Sequence, residues 1–274
     1  MFSFHLPTQA ARPMKLDVHT HAFHPKIAHK VLAQLNDHYG IDPVGSGTVD
    51  DLLDRAESAG LDGVVIHTAA TDPSQVIPAN NWAMELTRDN PGVIGFGSMH
   101  PDFDRIEDEL DRIERKGVKG LKFHPDFQGF RMDDPKFFQL MEIVGGRFTL
   151  MFHVGDVLPP EQNPSCPAKL ARLREMFPEP VMIAAHMGGY RHWEYALEHL
   201  CGKDVFFDTS STLDFVDDDL LGRLFRSHGI DRLLFGSDYP LYDPGRELDE
   251  LKRRMSLGSA DLDALLTTAS TLIA

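Results

Sequence analysis

The sequence predicts a single (β/α)8 barrel with a group of histidines at its mouth. Its 274 residues match the length that such a barrel usually occupies as one unit. Short apolar runs alternate with helical patterns along the whole chain, which is typical of a parallel sheet covered by helices. Nearly every apolar run ends in histidine or aspartate. In a closed barrel all of these strand ends meet at one rim, where the active sites of this fold lie.

Eight segments are predicted as strands because each is a short run rich in β-branched or other apolar residues. They are residues 15–21, 63–69, 93–101, 118–125, 147–155, 181–189, 205–211 and 232–240. Helical patterns lie between them at residues 80–90, 102–117, 133–146, 167–177, 193–200 and 217–229. Several of these helices begin at Asp or Asn and end at Gly, as helix caps require. Strands and helices therefore alternate in the order that a barrel needs.

An open, doubly wound sheet is the alternative arrangement of the same elements. That fold is expected to place a Gly-rich phosphate-binding loop after its first strand. The sequence has HTHAFHP at this position, residues 19–25, so we favour the closed barrel. Residues 35–48 are rich in Gly and Pro and are predicted as a long surface loop, with a lid as one use for it.

Composition and charge narrow the classes of partner. The net charge of −15 disfavours nucleic acid, because an acidic surface repels phosphate groups. The sequence contains no run of about 18 apolar residues, which is the length that a helix needs to cross a membrane. The first residues also lack the pattern of a signal peptide, so we expect a cytoplasmic protein. Cys166 and Cys201 form no C-x-x-C motif. Residues 1–14 are predicted as an N-terminal extension, with Met14 as an alternative start, and residues 15–274 as the barrel domain.

Two histidines close the first predicted strand, in the stretch KLDVHTHAFHP at residues 15–25. Side chains two positions apart share one face of a strand, so His19 and His21 should lie side by side with Asp17 below them. The same counting predicts four more pairs: Lys122 with His124, Met151 with His153, Ala184 with His186, and Gly236 with Asp238. Two histidines from one strand, one from another and an aspartate from the last strand suit a divalent transition metal.

Six motifs, taken in order, carry a family resemblance: DVHTH, GVKGLKFHP, MFHVG, IAAHMGG, FFDTSS and LLFGSDYP. Together they resemble the amidohydrolase superfamily. Within it they are similar to the amidohydrolase-related branch that includes aminocarboxymuconate-semialdehyde decarboxylase and related aromatic-acid decarboxylases and hydrolases. The resemblance spans residues 15–256. It implies one divalent metal ion, zinc first and manganese, iron or cobalt as alternatives, held by His19, His21, His153 and Asp238.

The resemblance also implies catalytic roles for Asp238 and His186. His186 matches a histidine that acts as an acid or base, or that polarises water or substrate, and Asp238 would both bind the metal and accept a proton. Lys122 lies where members with two metals carry a bridging carboxylated lysine or a glutamate. A second metal bridged by carboxylated Lys122 is therefore a less favoured alternative.

Four residues are predicted to bind substrate. Lys122 and His124 could contact a substrate carboxylate, Arg131 follows the fourth strand, and Tyr239 follows the eighth. The other histidines outside strand ends are predicted to lie at the surface: His24, His29, His38, His192, His199 and His228.

The activity that we expect is metal-dependent hydrolysis of a carbonyl or lactone-type bond in a small, carboxylate-bearing substrate. A bound divalent metal lowers the pKa of water to about 7 and so supplies a nucleophile for this reaction. The alternative is metal-dependent, nonoxidative decarboxylation of an aromatic or dienoic acid. A metal-binding scaffold without activity would lack a ligand, and none is missing from the predicted set. Similar proteins are often dimers, so a homodimer is a further expectation.

Overall fold

The chain forms eight strands in the order that the sequence predicts. The structure is a computed structural model that describes residues 12–273. Its strands are β1 (Leu16–Thr20), β2 (Gly63–His67), β3 (Val93–Ser98), β4 (Gly120–Phe123), β5 (Thr149–Phe152), β6 (Met182–Ala184), β7 (Phe206–Asp208) and β8 (Leu233–Leu234). Each observed strand lies inside its predicted segment and is shorter, because the polar rim residues that follow it have left the sheet.

The strands form one parallel sheet that curls into a nearly closed barrel. Each strand pairs with the next one in chain order, from β1 to β8. The first and last strands approach each other through a 2.9 Å hydrogen bond that Val18 N donates to Phe235 O. A bridge between Thr20 and Tyr239 adds a second link at the rim. The predicted (β/α)8 class is therefore confirmed.

Eleven α-helices surround the barrel within the described part of the chain. They are α1 (Ala28–Tyr39), α2 (Val49–Ser58), α3 (Val76–Asp89), α4 (Ile106–Arg115), α5 (Pro125–Gln128), α6 (Pro135–Val144), α7 (Pro167–Met176), α8 (Trp193–His199), α9 (Asp218–His228), α10 (Pro244–Met255) and α11 (Ser259–Leu272). All six predicted helical patterns are confirmed. Aspartates cap α6 and α9, since Asp134 accepts from Lys136 N and Asp217 from Leu220 N, both at 2.8 Å.

The predicted loop at residues 35–48 is partly wrong, because α1 continues through its first residues to Tyr39. Gly40 ends the helix in a left-handed conformation, with φ of 68°, which glycine adopts without strain. The rest of the stretch runs across the rim, where Val44 N and Gly45 N both donate to Pro240 O. This segment is thus tied to the chain that follows β8.

The barrel interior is a packed apolar layer below the polar rim. Its buried members are Leu16, Val18, Val65, Phe96, Met151, Ile183, Ala185 and Leu234. A side chain at Gly120 would lie 2.2 Å from the Phe96 ring, so glycine makes the space that this ring fills. At one end of the barrel, the last helix docks through a 2.9 Å hydrogen bond that Thr149 Oγ1 donates to Leu272 O.

The predicted extension, residues 1–14, lies mostly outside the described residues. Its last part is attached to the barrel domain: Arg12 pairs with Asp62 at 3.1 Å, and Met14 N donates to Ser270 Oγ at 3.1 Å. Among the residues that the structure describes, no helix has both the length and the apolar character that a bilayer crossing requires.

Candidate active site

Most of the predicted site residues surround one cavity at the rim of the barrel. The cavity has a volume of about 690 Å³, which is within the usual range for small-molecule sites. The polar side chains that line its floor are His19, His21, His67, Lys122, His124, His153, His186 and Asp238. The ends of six strands therefore converge on one volume, as the barrel prediction requires.

His19 and His21 both face the cavity, and an irregularity in β1 explains how. The pairing of β1 with β2 shifts register between Asp17 and Thr20. Such a bulge changes which face a side chain takes, so His19 reaches the cavity although Leu16 and Val18 point into the barrel interior. Asp17 lies beneath, where its Oδ1 accepts from His19 N at 3.1 Å.

Asp238 contacts the two β1 histidines through one carboxylate oxygen. Its Oδ1 lies 3.6 Å from His19 Nε2 and 3.4 Å from His21 Nε2, and its Oδ2 accepts a hydrogen bond from Ser211 Oγ. Burial alone would raise the pKa of Asp238, but the charges of His19 and the other nearby histidines outweigh burial and lower it well below its usual value. A side chain at Gly236 would meet His19 Cβ at 2.8 Å, so glycine allows this close approach.

His186 reaches the cavity by a route that the strand pattern did not predict. The prediction that it shares a face with Ala184 is wrong, because Ala184 packs in the layer between barrel and helices. The chain leaves β6 with His186 in a left-handed conformation, φ of 61°, which is uncommon for a residue with a side chain. The backbone of Asp238 is also left-handed, with φ of 66°. Such strain is concentrated at functional sites.

Three of these side chains form a compact donor set. His19, His186 and Asp238 each offer one ligand atom, and these atoms lie within 4.8 Å of one another. Ser210 Oγ links the two histidines, at 3.0 Å from Nδ1 of His19 and 2.9 Å from Nδ1 of His186. Burial lowers the pKa of His186 to about 4, so its ring is neutral at neutral pH.

Asp208, at the end of β7, fixes the ring of His19. Its Oδ2 lies 2.9 Å from His19 Nδ1, and both side chains are fully buried. Burial alone would raise the pKa of Asp208, but the charge of His19 and its hydrogen bond lower it. A carboxylate in this position holds the proton of the imidazole on Nδ1 and leaves Nε2 free to face the cavity.

Lys122 is a buried cation on the cavity floor. Its side chain is 1% exposed, and Nζ lies 3.1 Å from His19 Nε2. Burial lowers the pKa of Lys122 to about 8, and the negative charges of Asp208 and Asp238 oppose this shift. The ammonium is therefore still the main form at neutral pH. The predicted pairing of Lys122 and His124 on one face is confirmed, since both line the cavity.

His124 and His153 form the side of the floor opposite β1. Their rings stack with centroids 3.8 Å apart. His124 Nε2 lies 3.4 Å from Tyr39 OH, so the end of α1 closes over this side. His153 Nδ1 lies 2.9 Å from His186 Nε2, and its Nε2 is buried without a hydrogen-bond partner.

Two predicted substrate-binding residues lie outside the cavity. Arg131 pairs with Asp133 at 3.0 Å and donates to Gln162 O at 3.2 Å. Tyr239 is fully buried, and its hydroxyl donates to Asp51 Oδ2 at 2.7 Å. The structure gives both residues a role in holding loops, because their polar groups are directed at the protein.

The sequence predicts Asp208 as a strand-end residue that supports the site or anchors a loop, and its contact with His19 agrees with the first of these. Four further residues that contact the site were given no role: Ser210, Ser211, Tyr39 and Tyr190. The polar run DTSS at the end of the seventh strand was a signal for the two serines. Nothing in the sequence indicated the two tyrosines, which come from distant segments.

The sequence also matches a known family model. The model described as amidohydrolase covers residues 16–269, which is nearly the whole described chain. The chain belongs to the amidohydrolase family. This confirms the resemblance carried by the six motifs, all of which lie inside the matched range. No curated protein sequence matches this amidohydrolase.

Solved structures of similar proteins share the fold at low sequence identity. The 5-carboxyvanillate decarboxylase of Sphingomonas paucimobilis has a TM-score of 0.70 and 15% identity, with 96% of this chain and 99% of that chain covered. A Pseudomonas putida protein provisionally named 2-pyrone-4,6-dicarboxylic acid hydrolase has a TM-score of 0.66 and 16% sequence identity, with 96% of this chain and 98% of that chain covered. A dihydroxybenzoic acid decarboxylase of Polaromonas sp., solved with manganese and the inhibitor 2-nitroresorcinol, has a TM-score of 0.67 and 14% sequence identity, with 96% of this chain and 97% of that chain covered.

Proposed function

We propose that this amidohydrolase is a metal-dependent hydrolase of small, carboxylate-bearing substrates. The observation that carries the proposal is the convergence of His19, His21, His186 and Asp238 beside the buried cation Lys122, in one cavity. The left-handed backbone conformations of His186 and Asp238 support the proposal that this cluster is an active site, because strained residues of this kind are concentrated at functional sites.

The donors around Asp238 suit one divalent metal ion. Four ligands about 2.1 Å from a tetrahedral ion lie about 3.4 Å apart. The distances from Asp238 Oδ1 to His21 Nε2 and His19 Nε2, 3.4 and 3.6 Å, agree with that spacing. His186 offers one further nitrogen donor within 4.8 Å of those of His19 and Asp238. That His153 is the fourth ligand stays a prediction, because its Nδ1 faces His186 and its Nε2 faces Asp156.

The roles that we assign follow from protonation state and position. A bound divalent ion would supply Lewis acidity, polarising a substrate carbonyl and lowering the pKa of water. Asp238 is anionic and accepts the proton that the attacking water loses, while Ser211 fixes its second oxygen. We assign neutral His186 the acid or base role beside Asp238; its Nδ1 lies 3.9 Å from Asp238 Oδ2, so a proton would pass between the two groups through an intervening water.

The cavity suggests the class of substrate. Above the polar floor, its wall is formed by apolar side chains: Ile27, Val31, Leu35, Ile41, Pro78, Trp82 and Phe127. A flat or cyclic organic group fits such a wall, and the ammonium of Lys122 attracts a carboxylate to the floor. We therefore expect a cyclic acid of modest size. The His and Asp donors suit zinc first, with manganese, iron or cobalt as alternatives.

Decarboxylation is the second candidate for the reaction. The apolar wall favours an aromatic acid, and two of the three structures compared above belong to proteins named as aromatic-acid decarboxylases. In that reaction the same residues would orient the acid and deliver a proton to carbon while carbon dioxide leaves. Lys122 and the histidines would then hold the carboxylate that is lost.

Product analysis in isotopically labelled water tests the proposal. The metal-loaded protein is incubated with a panel of small lactones, cyclic amides and aromatic carboxylic acids in H2 18O. Hydrolysis predicts one heavy oxygen in the product and no carbon dioxide. Release of carbon dioxide without heavy oxygen in the product would replace the hydrolase by the decarboxylase. Protein carrying His199→Ala, a change far from the rim, serves as the matched control and should behave as the wild type.

A further inference from the structure

Two tyrosines on the wall of the cavity carry hydroxyl groups that the proposed hydrolysis does not use. Tyr39 is the last residue of α1, and Tyr190 lies in the segment between β6 and α8. Both side chains line the cavity, and their rings meet edge to face with centroids 5.8 Å apart. Tyr39 lies beside His124, and the ring of Tyr190 contacts the ring of His186. The two residues therefore form one side of the wall, and we call them the tyrosine pair.

The hydrogen bonds around His124 leave the hydroxyl proton of Tyr39 without an acceptor. Phe127 N donates to His124 Nδ1 at 3.3 Å, so the proton of this neutral ring is on Nε2. Nε2 therefore donates to the hydroxyl oxygen of Tyr39, which lies 3.4 Å away. Within residues 12–273, no acceptor is in reach of the proton that the Tyr39 hydroxyl itself carries.

The hydroxyl of Tyr190 is buried and has no hydrogen-bond partner among the residues that the structure describes. The residue as a whole is 2% exposed. Arg191 packs on the same ring, with its Cζ 5.3 Å from the centroid, but a guanidinium only donates and cannot take the phenol proton. An unpaired buried hydroxyl costs free energy, so this group calls for an acceptor that the folded chain does not supply.

The packing of Tyr190 fixes the position of its hydroxyl. Tyr190 N donates to Val154 O at 2.7 Å, and a side chain at Gly155 would meet Tyr190 O at 2.3 Å, so glycine allows the two segments to come together. Trp193 and Phe215 contact the ring edge to face, with centroids 6.0 and 5.3 Å away. A donor held in this way loses little conformational freedom when a ligand binds, which favours a role in recognition.

The charges near the tyrosine pair favour a neutral acceptor over an anionic one. Burial raises the pKa of both hydroxyls, and the negative charge of Asp156 adds to the shift in each case, so both are donors at neutral pH. Arg191 opposes the shift at Tyr190, but it is exposed, and solvent screens its charge. Asp156 is only 3% exposed and would repel an anionic substituent more strongly than Arg191 would attract it.

We propose that the tyrosine pair is a recognition subsite for a neutral oxygen acceptor on the substrate, such as a ketone or ester carbonyl. The inference rests on the proposed function, from which it takes a cyclic acid whose carboxylate is held at Lys122. With that carboxylate on the floor, the acceptor would project toward the wall between α1 and the segment after β6. Tyr39 and Tyr190 thus determine specificity, and they narrow the substrate class to cyclic acids that carry a further, uncharged oxygen acceptor.

Paired ligands test the subsite on the metal-loaded, full-length protein. Isothermal titration calorimetry measures the affinities of benzoate, 3- and 4-acetylbenzoate, and the dicarboxylates isophthalate and terephthalate. Wild type should bind one acetylbenzoate about tenfold more tightly than benzoate, and neither dicarboxylate more tightly than benzoate. Tyr39→Phe and Tyr190→Phe should each reduce this preference to about threefold or less, with no comparable loss of benzoate affinity. Tyr195→Phe removes the same atom from a tyrosine of α8 outside the cavity and should keep the preference.

The outcomes separate the subsite from the proposed reaction. Absence of the acetylbenzoate preference in wild type, or an unchanged preference in both tyrosine variants, refutes the subsite whatever the labelled-water experiment shows. Carbon dioxide release without heavy oxygen replaces hydrolysis by decarboxylation, and the subsite still stands if the variants lose the preference. If no acid of the panel binds, both proposals fail, because both need a cyclic acid in the cavity.

Two further results would overturn the assignment in part or in whole. A dicarboxylate that binds more tightly than either acetylbenzoate would show that the subsite takes an anion. Thermal denaturation of Tyr190→Phe tests a purely structural role, because removal of an unpaired buried hydroxyl should not lower the thermal midpoint. A lower midpoint with an unchanged acetylbenzoate preference would mean that the hydroxyl supports the fold.

Discussion

Buried histidines in two regions of the molecule differ in the partners that they find. Between β7 and α9, His228 stacks on Phe207 at 3.6 Å, donates to Val205 O at 3.0 Å and accepts from Gly202 N at 3.3 Å. At the rim, His153 and His186 are equally buried, but their nitrogens face each other, Ser210 or no partner; the backbone atom near them is Ser210 O, 3.3 Å from His186 Nδ1. Burial therefore does not identify a site. A histidine whose two ring nitrogens are both satisfied by backbone groups, as in His228, supports the fold, whereas one with a nitrogen that faces other ionisable groups is available for chemistry.

The largest expected effect is a loss of catalytic activity when a rim residue is changed. Asp238→Asn should lower kcat by about 10⁴-fold, which corresponds to roughly 5 kcal/mol, because it removes both a metal ligand and a proton acceptor. Steady-state kinetics on the substrate found by product analysis would measure this loss. Asp261→Asn, at an exposed position in α11, should leave kcat unchanged. An Asp238→Asn enzyme with wild-type kcat would remove Asp238 from the mechanism.

A change in the apolar interior should affect stability without changing the metal content. Phe96→Ala empties the space beside Gly120 and is expected to lower the free energy of unfolding by about 3–5 kcal/mol. Urea denaturation would measure it. Phe138→Ala, at a half-buried position on α6, should cost clearly less. Equal losses in the two variants would mean that the barrel interior is not packed as described.

His228, in α9, should make the stability of the fold depend on pH. Burial lowers the pKa of His228 to about 4, from 6.5 in the unfolded chain. The folded state therefore disfavours the protonated ring, so this contribution is present above pH 6.5 and is lost as the pH falls toward 4, by up to about 3 kcal/mol. Chemical denaturation of wild type and His228→Gln across this range would show it. Parallel curves for the two proteins would contradict the assignment.

The smallest effect is expected at Tyr239. Because its hydroxyl donates to Asp51 and not into the cavity, Tyr239→Phe should cost about 1–2 kcal/mol of stability and leave KM unchanged. Thermal denaturation and steady-state kinetics on the same preparation would separate these effects. A raised KM with unchanged stability would restore the sequence-based prediction that Tyr239 binds substrate.

The sequence predicted the barrel because its signals are local and repeated. Each strand carries its own apolar run and its own polar residue at the carboxyl end, so the convergence at the rim followed from the topology alone. The strand pattern also placed Lys122, His124 and His153 correctly. The rule that side chains two positions apart share one face of a strand failed at His186. A residue in a left-handed conformation redirects the chain after β6, and no residue type marks that turn.

The remaining differences come from contacts between distant segments. His192 and His228 were predicted at the surface but are buried, since neighbouring elements cover them. Arg131 and Tyr239 follow strand ends as true site residues do, yet each finds a carboxylate partner elsewhere in the fold. The contact of Tyr39 with the rim could not be predicted, because Tyr39 comes from a helix whose position over the rim depends on tertiary packing.

Metal content is the most direct test of the central claim that the rim donors hold a catalytic metal. Wild-type protein, His19→Ala and Asp238→Asn are purified without added chelator, dialysed together and examined by elemental analysis. The account predicts a tightly bound transition metal in wild type, with at least one equivalent fewer in each variant. Equal metal content in all three proteins, or wild-type activity in metal-free protein, would contradict it.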